Sequence, residues 1–279
     1  MLTKEAIIAT THRDSEGDKL ALEALYSLVD GIRSSYIPIW DEHDPRKPPL
    51  GRIASAEVRE RNDGEYEVFA ILEIFDGSEP DRYSGEREHI REKPLDVGQI
   101  VVSPDRTFMS KEDLDDINVL AKLLGTSPIE SVKKAMDPLS ILQLTAAFVA
   151  GGVASGFLGK LGSDAADALK EKIKRIMRRA EERTSERVFR LVLQLEKDGY
   201  SIEADIFITN PTDEDIDSLF SSGLSETDKQ IPKLMNFGKQ LSKLTFEYKD
   251  NNLQLKFGVR KDCVPVIIKV EDTQNETKP

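Results

Sequence analysis

Between Asp137 and Lys160 the chain reads PLSILQLTAAFVAGGVASGFLG (residues 138–159), 22 positions without a charged side chain. Asp137-Pro138 is a helix-start signal, because Asp caps free amides and Pro fits the first helical turn. The spacing therefore predicts an apolar helix over 138–159, with the roughly 20 residues that a bilayer core asks of a span. Ala147, Gly151, Ser155 and Gly159 recur four apart, and Gly152 with Gly156 forms a GxxxG beside them. Small residues at this spacing let helix backbones approach closely. Three states stay open for this helix: a permanent span, a conditional or peripheral membrane element, or a helix buried in protein. The flank after it is the more basic one, and the rule that basic flanks stay cytoplasmic would then send the first 137 residues across the membrane. In each state the small-residue face predicts self-association, so a homo-oligomer is expected.

Outward from this segment the charge is uneven. The chain of 279 residues carries 39 Lys+Arg and 51 Asp+Glu, a net charge of −12. Residues 1–137 hold 18 basic and 29 acidic side chains (−11), residues 160–184 hold 8 and 5 (+3), and residues 185–279 hold 13 and 17 (−4). An acidic balance disfavours nucleic acid as a partner, since such binders need a basic footprint. The stretch after Gly162 keeps Leu169, Ile173, Ile176, Met177 and Ala180 at helical spacing. Lys170, Lys172, Lys174, Arg175, Arg178 and Arg179 supply its positive charge, the pattern of an amphipathic helix suited to an anionic membrane surface.

The N-terminal block mixes strands with helices. Ala6–Thr11 reads as a strand, Leu20 to Ile32 as a helix, and GRIASAEVRER with EYEVFAILEIF as a hairpin around Asn62-Asp63-Gly64. Residues 76–97 read as a long polar loop and Gly98–Ser103 as a strand. SKEDLDDINVLAKLLG reads as a helix capped by Ser110. In the C-terminal block, Phe189 to Leu195 and Tyr200 to Ile208 alternate as two strands about Lys197-Asp198-Gly199. Helical stretches and three further strands follow. The fold class expected is α+β: a β-rich domain over 1–130, a helical connector over 137–184, a ββαβββ domain over 185–270 and a disordered tail over 271–279.

Metal and cofactor chemistry find no support. Cys263 is the lone cysteine, and His12, His43 and His89 show no ligand spacing. The run GGVASGFLGK, read inside a helix rather than after a strand, is no nucleotide loop. The start of the chain has too short an apolar run for a signal peptide, so a cytoplasmic protein is expected, peripheral to or conditionally inserted in the inner membrane.

DSEGDKLALEAL (14–25) and IPIWDEHDPRKPPLGRIASAEVRERNDGEYEVFAILEIF (37–75) resemble the tailed-phage prohead (capsid-maturation) serine proteases, over about residues 5–75. The resemblance implies a compact β-barrel-like domain. It also implies that His43 acts as general base, because a neutral imidazole can take a proton from a serine hydroxyl. The nearest candidate nucleophile is Ser103, in GQIVVSPDRTF, followed by Pro104 where the family has another pattern; Ser84 and Ser110 are weaker candidates. The third member stays unassigned among several carboxylates, Glu112 included. Together these features lead to a bacterial or prophage-encoded interaction or effector protein, suited to phage defence. It would pair a protease-like sensor or peptide-binding domain with a self-associating, membrane-active helix. An active serine endopeptidase and a soluble oligomeric scaffold are the alternatives.

Overall fold

The computed structural model describes residues 1–13, 19–83, 85–90, 94–104, 109–126, 142–235 and 240–268. They form a mixed α+β protein with two sheets, in two compact units. The first comprises Met1–Glu92 and Val259–Val266; the second comprises Lys93–Gly258 and Ile267–Pro279. The first unit thus ends near residue 92 rather than 130 and takes in a piece from the far end of the chain.

In the first unit, strands β1 (Leu2–Thr10), β2 (Ile37–Ile39), β3 (Gly51–Glu60) and β4 (Tyr66–Ile74) make an antiparallel sheet in the order β1-β4-β3-β2. Helix α1 (Leu22–Ser34) lies on one face, because Leu25, Val29 and Ile32 recur on one side of it. These three are fully buried against Val68, Ile53 and Ala70 of the sheet. The β3–β4 hairpin turns at the expected Asn62-Asp63-Gly64, with Glu60 paired to Tyr66.

In the second unit, β5 (Ile100–Pro104), β6 (Leu142–Val149), β7 (Val188–Lys197), β8 (Tyr200–Thr209), β9 (Leu241–Lys249) and β10 (Asn252–Arg260) follow the sheet order β10-β9-β8-β7-β6-β5. The β6–β7 and β8–β9 pairs are parallel, so each needs a crossover. Helices α3 (Val153–Leu161) and α4 (Ser163–Glu181) make the first. The second is α5 (Asp213–Ser218) running through a π turn into α6 (Leu224–Met235). Helix α2 (Lys111–Leu123) begins on the expected cap, a reciprocal box between Ser110 and Asp113. The β7–β8 hairpin closes on Asp198 (φ 53°) and Gly199 (φ 72°), the left-handed pair that a two-residue turn demands. Past Gly258, β10 crosses into the first unit, where the two-residue β11 (Pro265–Val266) follows.

The expected apolar helix over 138–159 is corrected. Its centre, Leu142–Val149, is strand β6, hydrogen-bonded to β5 on one side and β7 on the other. A strand buried on both faces of a mixed sheet reads as a continuous apolar run, and eight residues stopped by Gly-Gly is strand length. The chain turns at Gly151 (φ 86°) and enters α3 at Val153. Ala147 therefore lies on a strand, Gly151 and Gly152 in or beside the turn, and only Ser155, Gly156 and Gly159 on a helix, so no small-residue stripe forms. Among the described residues no helix is long and apolar enough to cross a membrane. Asp137-Pro138 and the tail over 271–279 lie outside the described residues.

Gly156 has a different use. A Cβ placed there would stand 2.7 Å from the Phe148 ring of β6, and Phe148 is itself buried beside Phe157 (centroids 6.3 Å apart). Gly156→Ala is expected to cost about 1–3 kcal/mol by overpacking, read as a lower denaturation midpoint. Gly159→Ala has open space around it and should be silent or mildly stabilising.

Candidate functional site

His43 closes a 3-10 turn, Asp41–His43, in which Glu42 and His43 both take left-handed backbone angles (φ 50° and 58°). The loop is held by Arg46, which forks onto the buried Asp44 carboxylate at 3.0 Å, and by Lys47 on Asp41 at 2.6 Å. His43 itself is exposed, and its imidazole makes no hydrogen bond or ion pair among the described residues. Ser103 sits half-buried on β5, opposite Gln143 of β6. His43 belongs to the first unit and Ser103 to the second. Ser110 is spent on the α2 cap, exchanging hydrogen bonds with Asp113, while Glu112 is exposed in the first turn. Ser84 lies outside the described residues. Among the described residues no three His, Cys, Asp or Glu side chains could hold a metal.

The six cations expected to face an anionic surface turn out to be paired. Lys170 meets Asp167 (2.6 Å), Lys172 meets Asp116, and Lys174 meets Glu171 (2.9 Å) and Asp217 (2.7 Å). Arg178 meets Asp213 (2.9 Å), Arg179 bridges Asp113 and Asp116 (2.6 Å each), and Arg175 stands 3.7 Å from Asp116. The excess charge of α4 is consumed by carboxylates of α2, of α5 and of α4 itself. Sequence periodicity gives α4 its apolar face but does not reveal which helix lies across its polar one.

The run GGVASGFLGK, read above as mid-helix, does follow a strand and open a helix. That is where α/β folds bind phosphate. Here the place is filled by the chain: Val153 and Ala154 donate their backbone N–H groups to the Asp228 carboxylate at 2.7 and 2.9 Å.

One face of the second unit's sheet carries a buried charge cluster. Arg190 on β7, Glu203 and Asp205 on β8 and Lys243 on β9 are each no more than 8 % exposed. Arg190 donates twice to Asp205 Oδ2 (3.0 and 2.6 Å) and once to Gln143 Oε1 (2.7 Å); Lys243 stands 2.6 Å from the same Asp205 oxygen and 3.4 Å from Glu203. Burial alone would raise the Asp205 pKa, but Arg190 and Lys243 outweigh it and hold the carboxyl below its usual range. These four described side chains sum to zero charge, as a structural network does.

The first unit holds a cluster of another kind, around Tyr36, which follows α1. The guanidinium carbons of Arg52 and Arg87 lie 4.2 and 3.9 Å from the Tyr36 ring centroid, cation–π distances. Arg52 binds Glu73 (2.5 Å) and donates to the Asp262 carbonyl (2.8 Å). Arg260 grips the Asp262 carboxylate through two nitrogens (2.9 and 2.5 Å), and Lys261 pairs with Glu88. Tyr83 stacks edge-on to Tyr36 (6.2 Å) and donates to the Arg87 carbonyl (2.6 Å). Burial and its hydrogen bond with Tyr36 push the Tyr83 phenol up to about 12. Cys263, fully buried beside these groups, has its thiol pKa raised by burial, which disfavours the nucleophilic thiolate. Sequence reasoning passes over this cluster because its members lie far apart along the chain, Arg52 and Asp262 by 210 positions. The only local signal was three cations in RKDC and GRI with no motif around them.

Comparison with protein-family models, with curated proteins and with solved structures finds no match to this chain.

Proposed function

We propose that the chain is an interaction protein whose first unit receives an extended segment of a partner protein along the open edge of its sheet. One observation carries this reading. Strand β1 is an edge strand nine residues long, paired only with β4 among the described residues. Its Leu2 and Ile7 are 59 % and 53 % exposed. Proteins usually blunt such an edge, because its unpaired N–H and C=O groups are a template for another strand. Here only Lys4 and Glu5 guard it, while the two exposed apolar side chains, one toward each face, offer flanking contacts to an added strand. An imidazole that nothing among the described residues orients favours recognition over catalysis in this unit, in keeping with a peptide-binding descendant of the protease resemblance.

Peptide display on the full chain tests this. Selected peptides should be extended and apolar at alternate positions, should slow amide exchange over residues 2–10, and should bind Ile7→Lys at least about tenfold more weakly, the loss of one well-buried apolar contact. Peptides that bind Ile7→Lys as well as they bind the parent would remove the edge from consideration. A dimer of the chain that protects the same amides would name a second copy as the occupant. A fluorophosphonate probe should label no serine above the Ser103→Ala background, and labelling lost in both His43→Ala and Ser103→Ala would reinstate a hydrolase.

A further inference from the structure

Among the described residues, four cations stand around Tyr36 with three carboxylates that meet them. Arg52 has Glu73, Arg260 has Asp262 and Lys261 has Glu88. Arg87 is the one left over. It is half-buried and stacked on Tyr36, its Nη2 reaches only the Ile53 carbonyl at a long 3.3 Å, and its Nε is buried with no acceptor among the described residues. Its position is nonetheless fixed, since Tyr83 holds its carbonyl and Tyr36 holds its guanidinium plane. A guanidinium is a rigid fork of donors matched to a planar or tetrahedral oxyanion, and leaving a buried donor unmade is unfavourable. Arg52 stacks on the same ring and brings a second positive charge to the place, so two like charges share one aromatic platform in a chain where Asp and Glu outnumber Lys and Arg by 51 to 39. An anion set against the Arg87 guanidinium would answer the one charge of the group that no carboxylate among the described residues meets.

We propose that Arg87, with Arg52 and Tyr36, is an oxyanion-binding site that takes the phosphate or carboxylate group of a ligand. It is independent of the β1 edge and survives if that reading fails. The Arg87 guanidinium donates to the anion oxygens, Arg52 contributes charge, and Tyr36 keeps both guanidiniums in register.

The test titrates inorganic phosphate, and separately acetate, into the full chain at constant ionic strength, following the Arg87 Nε–H resonance in a ¹H–¹⁵N spectrum. Phosphate or acetate should move that resonance saturably while chloride does not, and whichever binds more tightly assigns the ligand group. Arg87→Lys keeps the charge but loses the fork. It should weaken binding, read on neighbouring backbone amides, by about tenfold, the equivalent of one charge-assisted hydrogen bond. Arg87→Met should abolish it. Should Arg87→Met fail to fold, Arg87→Lys alone decides. No saturable shift with either anion, or equal affinity in parent and Arg87→Lys, overturns the site.

Discussion

Asp205→Ala is expected to lose about 3–5 kcal/mol of stability, the cost of removing one partner from a buried ion pair. Asp205 is fully buried, and its Oδ2 is the acceptor on which Arg190 and Lys243 converge. Without it two cations stay in the sheet, and among the described residues the carboxylate left beside them is Glu203, 3.4 Å from Lys243 and 4.0 Å from Arg190. Chemical denaturation of the full chain measures the loss. The contrast that identifies the mechanism is a fourfold replacement, Arg190→Met, Glu203→Met, Asp205→Leu and Lys243→Met. Removing all four charges should recover most of what the single variant loses, because the desolvation of the cluster goes with them. A single variant within about 1 kcal/mol of the parent, the range of an exposed pair, would mean that water reaches the cluster. Thr245 gives an internal control. Its hydroxyl is buried with no hydrogen-bond partner among the described residues, so Thr245→Val should be neutral or stabilising.

Asp113→Ala should cost about 3 kcal/mol, because it removes a buried charge partner and a helix cap together. Asp113 is fully buried, accepts from Arg179 (2.6 Å) and Arg183 (2.5 Å), and takes the Ser110 backbone N–H at 2.9 Å. Asp113→Asn keeps the cap and loses the charge, so it should fall between the two. Near-equal loss in Ala and Asn would assign the effect to the ion pairs, and a silent Asn to the cap. The same groups set an acid limit. Burial pushes Asp113, Asp116 and Asp205 upward in pKa, but hydrogen bonds and the cations beside them prevail, and all three carboxyls end below their usual value of 3.8. A carboxylate depressed in the folded state contributes stability that is fully present above its unfolded pKa and fades as pH drops through the folded one. The denaturation midpoint should therefore hold steady from neutral pH to about 5 and fall below about 4. In the fourfold variant that fall should be shallower.

How much of this was legible in the sequence depended on whether the deciding neighbour was local. The hairpins at Asp63-Gly64 and Asp198-Gly199, the Ser110 cap and the periodicity of α1 and α4 are set within a few residues, and each was readable. The run LQLTAAFV was misread because its strand character comes from β5 and β7 on either side of it, and an isolated apolar run has no period to declare that. The polar face of β7 and β8 is a different case. Alternation separates Leu191 and Leu193 from Arg190, but it does not show that Arg190 and Asp205 neutralise each other out of water. The Tyr36 cluster needs the two ends of the chain at once, which no window of sequence contains.

The path of β10 has a consequence in time. The first unit consists of residues 1–92 together with 259–266, and Arg52, His89 and the Pro80 carbonyl all bond to that last piece. During synthesis, which proceeds from the N-terminus, the sheet and helix of this unit emerge before the second unit, yet the segment that completes them leaves the ribosome only after residues 93–258 of that unit. The unit that is begun first must wait across some 166 residues for its closing piece, and a chain cut short anywhere before residue 259 leaves Arg52 without the Asp262 carbonyl.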